Sequence, residues 1–412
     1  MRILLLTQYY WPENFLINSL VPLLVARGVE VTILTGKPNY PDGLIFDGYR
    51  AGGQQIEKHD GTIILRLPIV ARGRRSRVRL ILNYLSFIIS GVLLGPKLVE
   101  KHRYDLVFVY ATSPLLQALP AIWLARSRKV PLVVWVQDLW PESLSATGGI
   151  RNQFLLGAVA RSVRLIYRAC DRILVQSRAF VAPVAALTDD PSKIHYYPNF
   201  YKVSSERRAG ERVTALVKEI KTYFSVVFAG NLGHAQGLHI VVEAARKLLP
   251  YQDIRIFLVG SGSLDDWLMH QRDAYGLSNL IMSGRYDAAD MNFIFDAASA
   301  LLVSLRPAPI FALTIPSKVQ AYLAAGRPIL AALDGEGARI IQEAGAGLCS
   351  EAGNPKALVD NVLRLAALSP LELKQMGQNG QRYFNKHFDP DAVADELVEH
   401  FTELVSGREK AI

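Results

Sequence analysis

Three short stretches in the second half of the chain hold the residues best suited to chemistry. In FAGNLGHAQG (228–237) an apolar run turns through a glycine-rich loop into a helical pattern. Gly230 and Gly233 allow the backbone close to a ligand. A helix beginning near Gly237 would present unpaired N–H groups and a positive dipole end, which is an anion site. TIPSKVQAYLAAGRPIL (314–330) repeats the arrangement, with Ser317 expected as N-cap and Lys318 in the first turn. A lysine there opposes the helix dipole, so it is read as the partner of a diphosphate shared with backbone amides. LVGSGS (258–263) adds a third glycine loop at a strand end. Open α/β sheets bind ligands at the carboxyl ends of their strands, so the three loops are expected to converge. Neither glycine-rich loop fits G-x-G-x-x-G with an acid about 20 positions on, which argues against a dinucleotide-dependent oxidoreductase.

The first half places polar groups in the same kind of position. Trp11, Glu13 and Asn14 follow the first apolar run, Asn39 and Tyr40 follow the second, and Gln137, Asp138 and Glu142 follow a later one. A carboxylate at a strand's carboxyl end can orient a hydroxyl or take its proton. Asp138 is favoured for that role over Glu13 and Glu142; the alternative for each is a helix cap or a loop bond.

A third constellation is basic. Arg72, Arg74, Arg75, Arg77 and Arg79 precede LILNYLSFIISGVLLG (80–95) directly. A spanning helix needs about 20 apolar residues; this stretch is shorter, carries Asn83 and two serines, and stops at Gly95-Pro96. Two overlapping readings remain: a helix packed on the sheet, and an interfacial helix with its arginines on lipid phosphates.

The elements that must position these groups are legible as alternating apolar runs and amphipathic helices. Arg2–Leu6, Glu30–Thr35, Thr62–Leu67, Leu106–Tyr110, Leu132–Gln137, Arg172–Gln176 and Ile194–Tyr196 read as strands, with Asn18–Arg27 as the first helix. The order strand, helix, strand implies a parallel sheet. Near residue 200 the pattern restarts with Ser225–Ala229, a helix at Gly237–Leu249 and Arg255–Val259. Two doubly wound domains account for 412 residues without a long structureless loop. The expected divisions are 1–200, 201–386 and a helical tail 387–412, with a linker at Asn199–Arg212. MRILLL reads as a first buried strand, too short for a signal peptide's apolar region.

Charge is unevenly spread. Residues 1–200 carry 24 Lys/Arg against 13 Asp/Glu, and residues 201–412 carry 22 against 24. The basic half is expected to face something anionic. Zinc-finger and RNA-recognition patterns are missing and aromatics do not interleave the basic run, so a bilayer suits it better than nucleic acid. Cys170 and Cys349 stand in no metal-type spacing, and two cysteines fit a reducing cytoplasm.

As a set, QYYWPE (8–13), TGKPNYPDG (35–43), WVQDLWPES (135–143), YYPNF (196–200), GNLGHAQG (230–237), PSKVQAYLAAGRP (316–328) and GAGLCSEAGNP (345–355) resemble glycosyltransferase family 4 along essentially the whole chain. Within it they are similar to the WbuB-like subgroup of bacterial O-antigen, capsule and colanic acid assembly. The resemblance implies the GT-B architecture: two Rossmann-like domains facing a cleft, with a C-terminal helix crossing back to the first. It also implies a retaining transfer from a nucleotide-diphosphate sugar, UDP-linked, on the second domain. The acceptor on the first domain would be a polyprenyl-diphosphate-linked sugar, contacted by Trp11, Asn14, Asn39, Tyr40 and Gln137. N-acetyl-L-fucosamine is the sugar the subgroup suggests, and the place of work is the inner face of the cytoplasmic membrane.

Three departures from the family pattern stand out. Asn231 and Gln236 occupy the places of the loop's usual Arg and Lys. Leu313 and Ala321 occupy those of its two glutamates, and Gln137 that of a common histidine. Lys318, with Arg306 and Arg285 behind it, is therefore expected to meet the diphosphate, and Glu336 the ribose. Neither a metal nor another cofactor is expected. Competing readings on the same scaffold are a nucleotide-sugar epimerase, which needs no membrane, and a non-catalytic nucleotide-sugar-binding partner.

Overall fold

A computed structural model describes residues 1–74, 76–100, 102–146, 152–203 and 209–409. Arg75, one of the expected lipid contacts, lies outside them. The chain divides into two compact units, Met1–Pro198 with Pro390–Ile412, and Asn199–Asp389.

The first unit carries strands β1 (Arg2–Leu6), β2 (Glu30–Gly36), β3 (Gln55–His59), β4 (Thr62–Leu67), β5 (Leu106–Ala111), β6 (Leu132–Val136), β7 (Arg172–Val175) and β8 (Ile194–Tyr196). Their order in the sheet is β3-β4-β2-β1-β5-β6-β7-β8. Its helices are α1 (Ile17–Ala26), α2 (Arg77–Leu98), α3 (Leu119–Arg128), α4 (Glu142–Ala146), α5 (Gln153–Ala169) and α6 (Val181–Ala185). Ile3 through Leu6, Val107 through Val109 and Val133 through Val136 are wholly buried. Parallel strands covered on both faces read as unbroken apolar runs, which is why the sequence marks them. The sheet is not wholly parallel, however. β3 pairs antiparallel with β4 across Asp60 and Gly61. Its polar sequence QIEKH sits on an open edge with Ile56 exposed, so it leaves no apolar signature.

The second unit carries helix α7 (Glu211–Thr222), β9 (Phe224–Ala229), α8 (His239–Leu248), β10 (Ile254–Val259), α9 (Asp265–Ala274), β11 (Leu280–Gly284), α10 (Met291–Ala297) and β12 (Ala300–Ser304). It continues with α11 (Pro309–Leu313), α12 (Ser317–Ala325), β13 (Ile329–Ala332), α13 (Glu336–Glu343), β14 (Gly347–Ser350), α14 (Pro355–Ala366) and α15 (Pro370–His387). The order β11-β10-β9-β12-β13-β14 is parallel throughout. Within the expected linker, Glu211 and Arg212 already belong to α7.

In each sheet the strand order reverses once, between β1 and β5 and between β9 and β12. Connections leave in opposite directions at such a point and open a crevice at the carboxyl ends.

The last helix, α16 (Pro390–Glu409), belongs to the first unit and packs on α1. Arg27 bonds Asp391 and Asp395, Arg172 bonds Glu403 at 2.8 Å, and the Tyr197 hydroxyl donates to the Val393 carbonyl at 2.9 Å.

α2 is long and apolar enough to cross a membrane by length and composition, and its outer face is open. Asn83, Phe87, Gly91 and Gly95 form its buried stripe against β4 and α3. At Gly91 a Cβ would lie 2.7 Å from the Pro120 ring, so only glycine lets the helices approach this closely. Val78, Ile81, Leu82, Leu85, Ile89, Val92 and Leu93 remain exposed on the outer face.

Candidate nucleotide and acceptor sites

At the reversal point of the second unit, three loops lock together through their backbones. Gly230 N–H donates to the Val259 carbonyl and Leu232 N–H to that of Ser261. The Arg306 N–H bonds the Ala235 carbonyl at 3.0 Å, and the Ser304 hydroxyl bonds the Gln236 carbonyl at 2.7 Å. Glycine is required where they meet. Gly260, at φ +143°, would place a Cβ 1.9 Å from the Gly230 carbonyl. Gly230, at φ +131°, would push one into the Lys318 side chain.

Lys318 is the cation of this cradle. Its ammonium donates to the Gln236 amide oxygen at 2.5 Å and lies 4.5 Å from the Phe228 ring centroid. No carboxylate stands within 4 Å of it among the described residues. Burial alone pulls its pKa from 10.5 down to about 8. Tyr322, four residues on in α12, braces the same loop, its hydroxyl accepting from the Ala229 N–H at 3.1 Å.

Several expected details are placed differently. Pro316, not Ser317, is the N-cap of α12, and Ser317 is the exposed first helical residue. α8 begins at His239, after a short turn at 234–236, rather than at Gly237. Asn231 is exposed, beside Gly233 and Gly262. Arg306 stacks on Phe311 at the end of β12, close to the cradle. Arg285 follows edge strand β11, is exposed, and has no contact with the cradle among the described residues. Glu336 opens α13, where Arg339 holds its carboxylate at 2.8 Å.

The reversal point of the first unit is built from side-chain amides. The Gln8 N–H donates to Gln117 Oε1 and Gln8 Nε2 to Asn83 Oδ1, each at 2.7 Å. Asn83 Nδ2 donates to the Val70 carbonyl at 2.7 Å. Asn39, fully buried, accepts from the Arg72 N–H at 3.2 Å. Gln8 Oε1, Gln137 Nε2 and Gln176 Oε1 are buried without a bonding partner among the described residues. These three amide atoms sit just past the carboxyl ends of β1, β6 and β7, where open α/β sheets bind ligands.

The acids separate by surroundings. The Glu13 carboxylate accepts the backbone N–H groups of Asn39 at 2.8 Å, Tyr40 at 2.7 Å and Tyr10 at 3.3 Å. It ties two loops together, so its geometry is that of a loop staple and not of a free base. Asp138 accepts from the backbone and hydroxyl of Ser113, whose Oγ is in turn bonded by the Trp140 indole at 2.9 Å. Burial raises the Asp138 pKa. Glu142 is exposed at the start of α4, as is Asn14 in its loop. The Trp11 ring stacks on His59 at 3.9 Å, turned toward β3.

Arg72 does not lie with Arg74, Arg77 and Arg79, which are exposed at the start of α2. Its guanidinium sits over Tyr40 and Tyr9, 5.0 and 5.6 Å from their centroids, and bonds the Tyr9 hydroxyl at 3.3 Å. Arg66 and Lys37, both fully buried, were not anticipated. Arg66 binds Glu57 and donates to the Gly36 and Trp11 carbonyls, and Lys37 bonds Gln55 at 2.9 Å. An arginine interrupting the apolar run of β4 was the available signal.

Comparison with known proteins fits this division. Residues 16–199 match the model of a glycosyl transferase 4-like domain, and residues 223–367 that of glycosyl transferases group 1. The chain is similar to the "Probable glycosyltransferase WbjE" of Pseudomonas aeruginosa, 26% identical over 76% of this chain and 80% of that protein. It is 24% identical to the "Putative colanic acid biosynthesis glycosyl transferase WcaI" of Escherichia coli K12, over 68% of this chain and 70% of that one. Among solved structures, Anabaena HepE in complex with UDP-glucose superposes with a TM-score of 0.68 at 16% identity, over 98% of this chain and 100% of that one. Two successive family domains, each a Rossmann-like sheet with its loops gathered at the reversal point, make this chain a member of glycosyltransferase family 4, with the GT-B fold.

Proposed function

We propose that this glycosyltransferase moves a sugar from a UDP-linked donor to a polyprenyl-diphosphate-linked sugar during synthesis of a bacterial surface polysaccharide, with retention of configuration. Lys318 carries the donor half of this reading. A desolvated ammonium with no carboxylate partner among the described residues, beside two glycine-lined loops, is stabilised by an anion with oxygens on several sides. The fold shared with a protein solved with UDP-glucose supports a uridine nucleotide, and the WcaI likeness supports the polysaccharide.

In the reaction the bond from the anomeric carbon to the diphosphate breaks and a bond to the acceptor oxygen forms. Lys318, with the amides of 230–237 and of the α12 amino end, neutralises the departing diphosphate, so a metal is not required for that task. Asp138 orients the acceptor hydroxyl and receives its proton, which ends on the carboxylate or is passed to the diphosphate. The exposed apolar face of α2, with Arg74, Arg77 and Arg79 at its amino end, rests on an anionic bilayer and brings the enzyme to its lipid acceptor.

The test is purified enzyme with a panel of nucleotide sugars, UDP-N-acetyl-L-fucosamine included, and membrane extract as acceptor source. Label from one donor is expected in the lipid fraction, at a rate EDTA leaves unchanged. Lys318→Ala is expected to raise the donor KM roughly 10- to 100-fold, the worth of one bond to a charged group. An unchanged donor KM in that variant would remove the phosphate site. Isomerisation of the donor without membrane extract would remove the acceptor.

A further inference from the structure

Arg72 differs from Arg74, Arg77 and Arg79, which are exposed. It is partly buried, it bridges the loops after β1 and β2, and two tyrosine rings flank its guanidinium. Phe15 completes the aromatic wall, stacked on Tyr9 at 5.3 Å and tilted to Tyr40 at 5.2 Å. The backbone N–H of Arg72 is fixed on Asn39, and the bond to the Tyr9 hydroxyl orients the planar head. No carboxylate lies within 4 Å of it among the described residues. The acids nearest this cluster are otherwise engaged: Glu13 on three backbone amides and Asp138 on Ser113. An arginine so held keeps its charge and several N–H donors for a ligand, and its fork suits phosphate oxygens.

Two neighbours define what the ligand looks like. Tyr84, on α2, bonds Tyr9 and lies within electrostatic reach of both Arg72 and Asp138. From the same helix the apolar face formed by Ile81, Leu85 and Ile89 is exposed. A cation and a carboxylate that share Tyr84 as a neighbour, beside a helix with an exposed apolar face, match a molecule that carries a hydrocarbon chain, a diphosphate and a sugar. We propose that Arg72, framed by Tyr9 and Tyr40, is the subsite for the diphosphate of the lipid-linked acceptor, with the first isoprene units lying along α2. This rests on the acceptor class proposed above.

The experiment measures binding of geranyl diphosphate by calorimetry, with UDP at saturation to fill the second unit's phosphate site. The wild type is expected to bind geranyl diphosphate and to bind geraniol at least 10-fold more weakly. Arg72→Gln is expected to lose 10-fold or more of the diphosphate affinity, and Arg72→Lys less, with circular dichroism unchanged in both. Arg77→Gln with Arg79→Gln is expected to keep the wild-type affinity. Equal affinity of wild type and Arg72→Gln, equal binding of diphosphate and alcohol, or displacement of the probe by UDP would each overturn the subsite. Phosphatidylglycerol vesicles separate acceptor phosphate from lipid headgroup. Arg72→Gln is expected to sediment with them like wild type while the Arg77/Arg79 double variant does not, and a loss in Arg72→Gln matching the double variant would assign Arg72 to headgroups and overturn the proposal. Arg72-dependent binding by an enzyme that glycosylates only non-lipid acceptors would support the subsite and remove the acceptor class.

Discussion

Glu13 and Asp138 are both partly or wholly buried acids beyond the carboxyl ends of parallel strands, yet their bonds give them different work. Three backbone amides aim at Glu13, so removing its oxygens would orphan donors in two loops at once. Burial outweighs those bonds and lifts its pKa from 4.5 to about 7. The sign follows from proton binding. Between pH 4.5 and 7 the folded form keeps a proton the unfolded chain has lost, so stability falls as pH rises through that window and levels above it. At 1.36 kcal/mol per unit the loss is at most about 3 kcal/mol. Glu13→Gln keeps an acceptor oxygen and does not ionise. In denaturant melts across pH 5 to 8 the stability of the wild type relative to Glu13→Gln is expected to fall as pH rises to 7 and then to level, with transfer activity retained at the level of kcat. A large fall in kcat with donor and acceptor KM unchanged would instead make Glu13 the base.

At the scale of one element, α2 divides its apolar residues between two solvents. Phe87 faces the sheet and is fully buried, whereas Leu85 and Ile89, two residues to either side, face outward. Phe87→Ala is expected to cost about 3–5 kcal/mol in chemical denaturation, the usual cost of emptying a packed aromatic site. Ile81→Ser, Leu85→Ser and Ile89→Ser change side chains that are about half exposed and are expected, combined, to lower the melting midpoint far less than Phe87→Ala. The same triple variant is expected to lose 10-fold or more in partition onto phosphatidylglycerol vesicles, because each apolar side chain contributes on the order of 1 kcal/mol when it leaves water. The arginine-dependent part should weaken with salt, the apolar part should not. α3 packs beside α2 and α5 beside α3, and Trp123 of α3 and Phe154 and Leu155 of α5 are exposed as well.

Across the whole molecule, the first unit is completed by residues from both ends of the chain. His400 of α16 lies between Arg172, 2.7 Å from its Nδ1, and His195, whose ring meets it edge-on at 5.2 Å. Burial and these two neighbours lower its pKa from 6.5 to about 4, against the opposing pull of Glu403. Glu396 stands 3.8 Å from Nε2 and completes the charged groups around it. His400 is therefore neutral in the folded form at a pH where the unfolded chain is protonated. The attachment of α16 is full above pH 6.5 and weakens as pH falls toward 4. Hydrogen exchange of the α16 amides is expected to speed up over that range in the wild type, and to lose this pH dependence in His400→Gln.

The strands, the glycine loops and Lys318 were legible because their signals are local. A strand covered on both faces must be apolar throughout, and a loop pressed against another backbone must be glycine. A lysine opposing a helix dipole also shows in the sequence alone. The restart near residue 200 was readable for the same reason. Tertiary structure decided the rest, because a polar side chain's role depends on which distant group reaches it first. Glu13 was drawn to the amides of Asn39 and Tyr40, Glu336 to Arg339, and Arg72 away from its run to the tyrosines. The edge strand β3 and the role of the buried Arg66 were hidden together, since β3 carries no periodic pattern and Arg66 is bonded by Glu57 of that strand and by the distant Gly36 and Trp11 carbonyls. The sequence by itself determined two Rossmann-like folds and a glycine-lined cradle around Lys318, whereas long-range pairing alone decided which charges are already satisfied and which, among the described residues, have no ion pair.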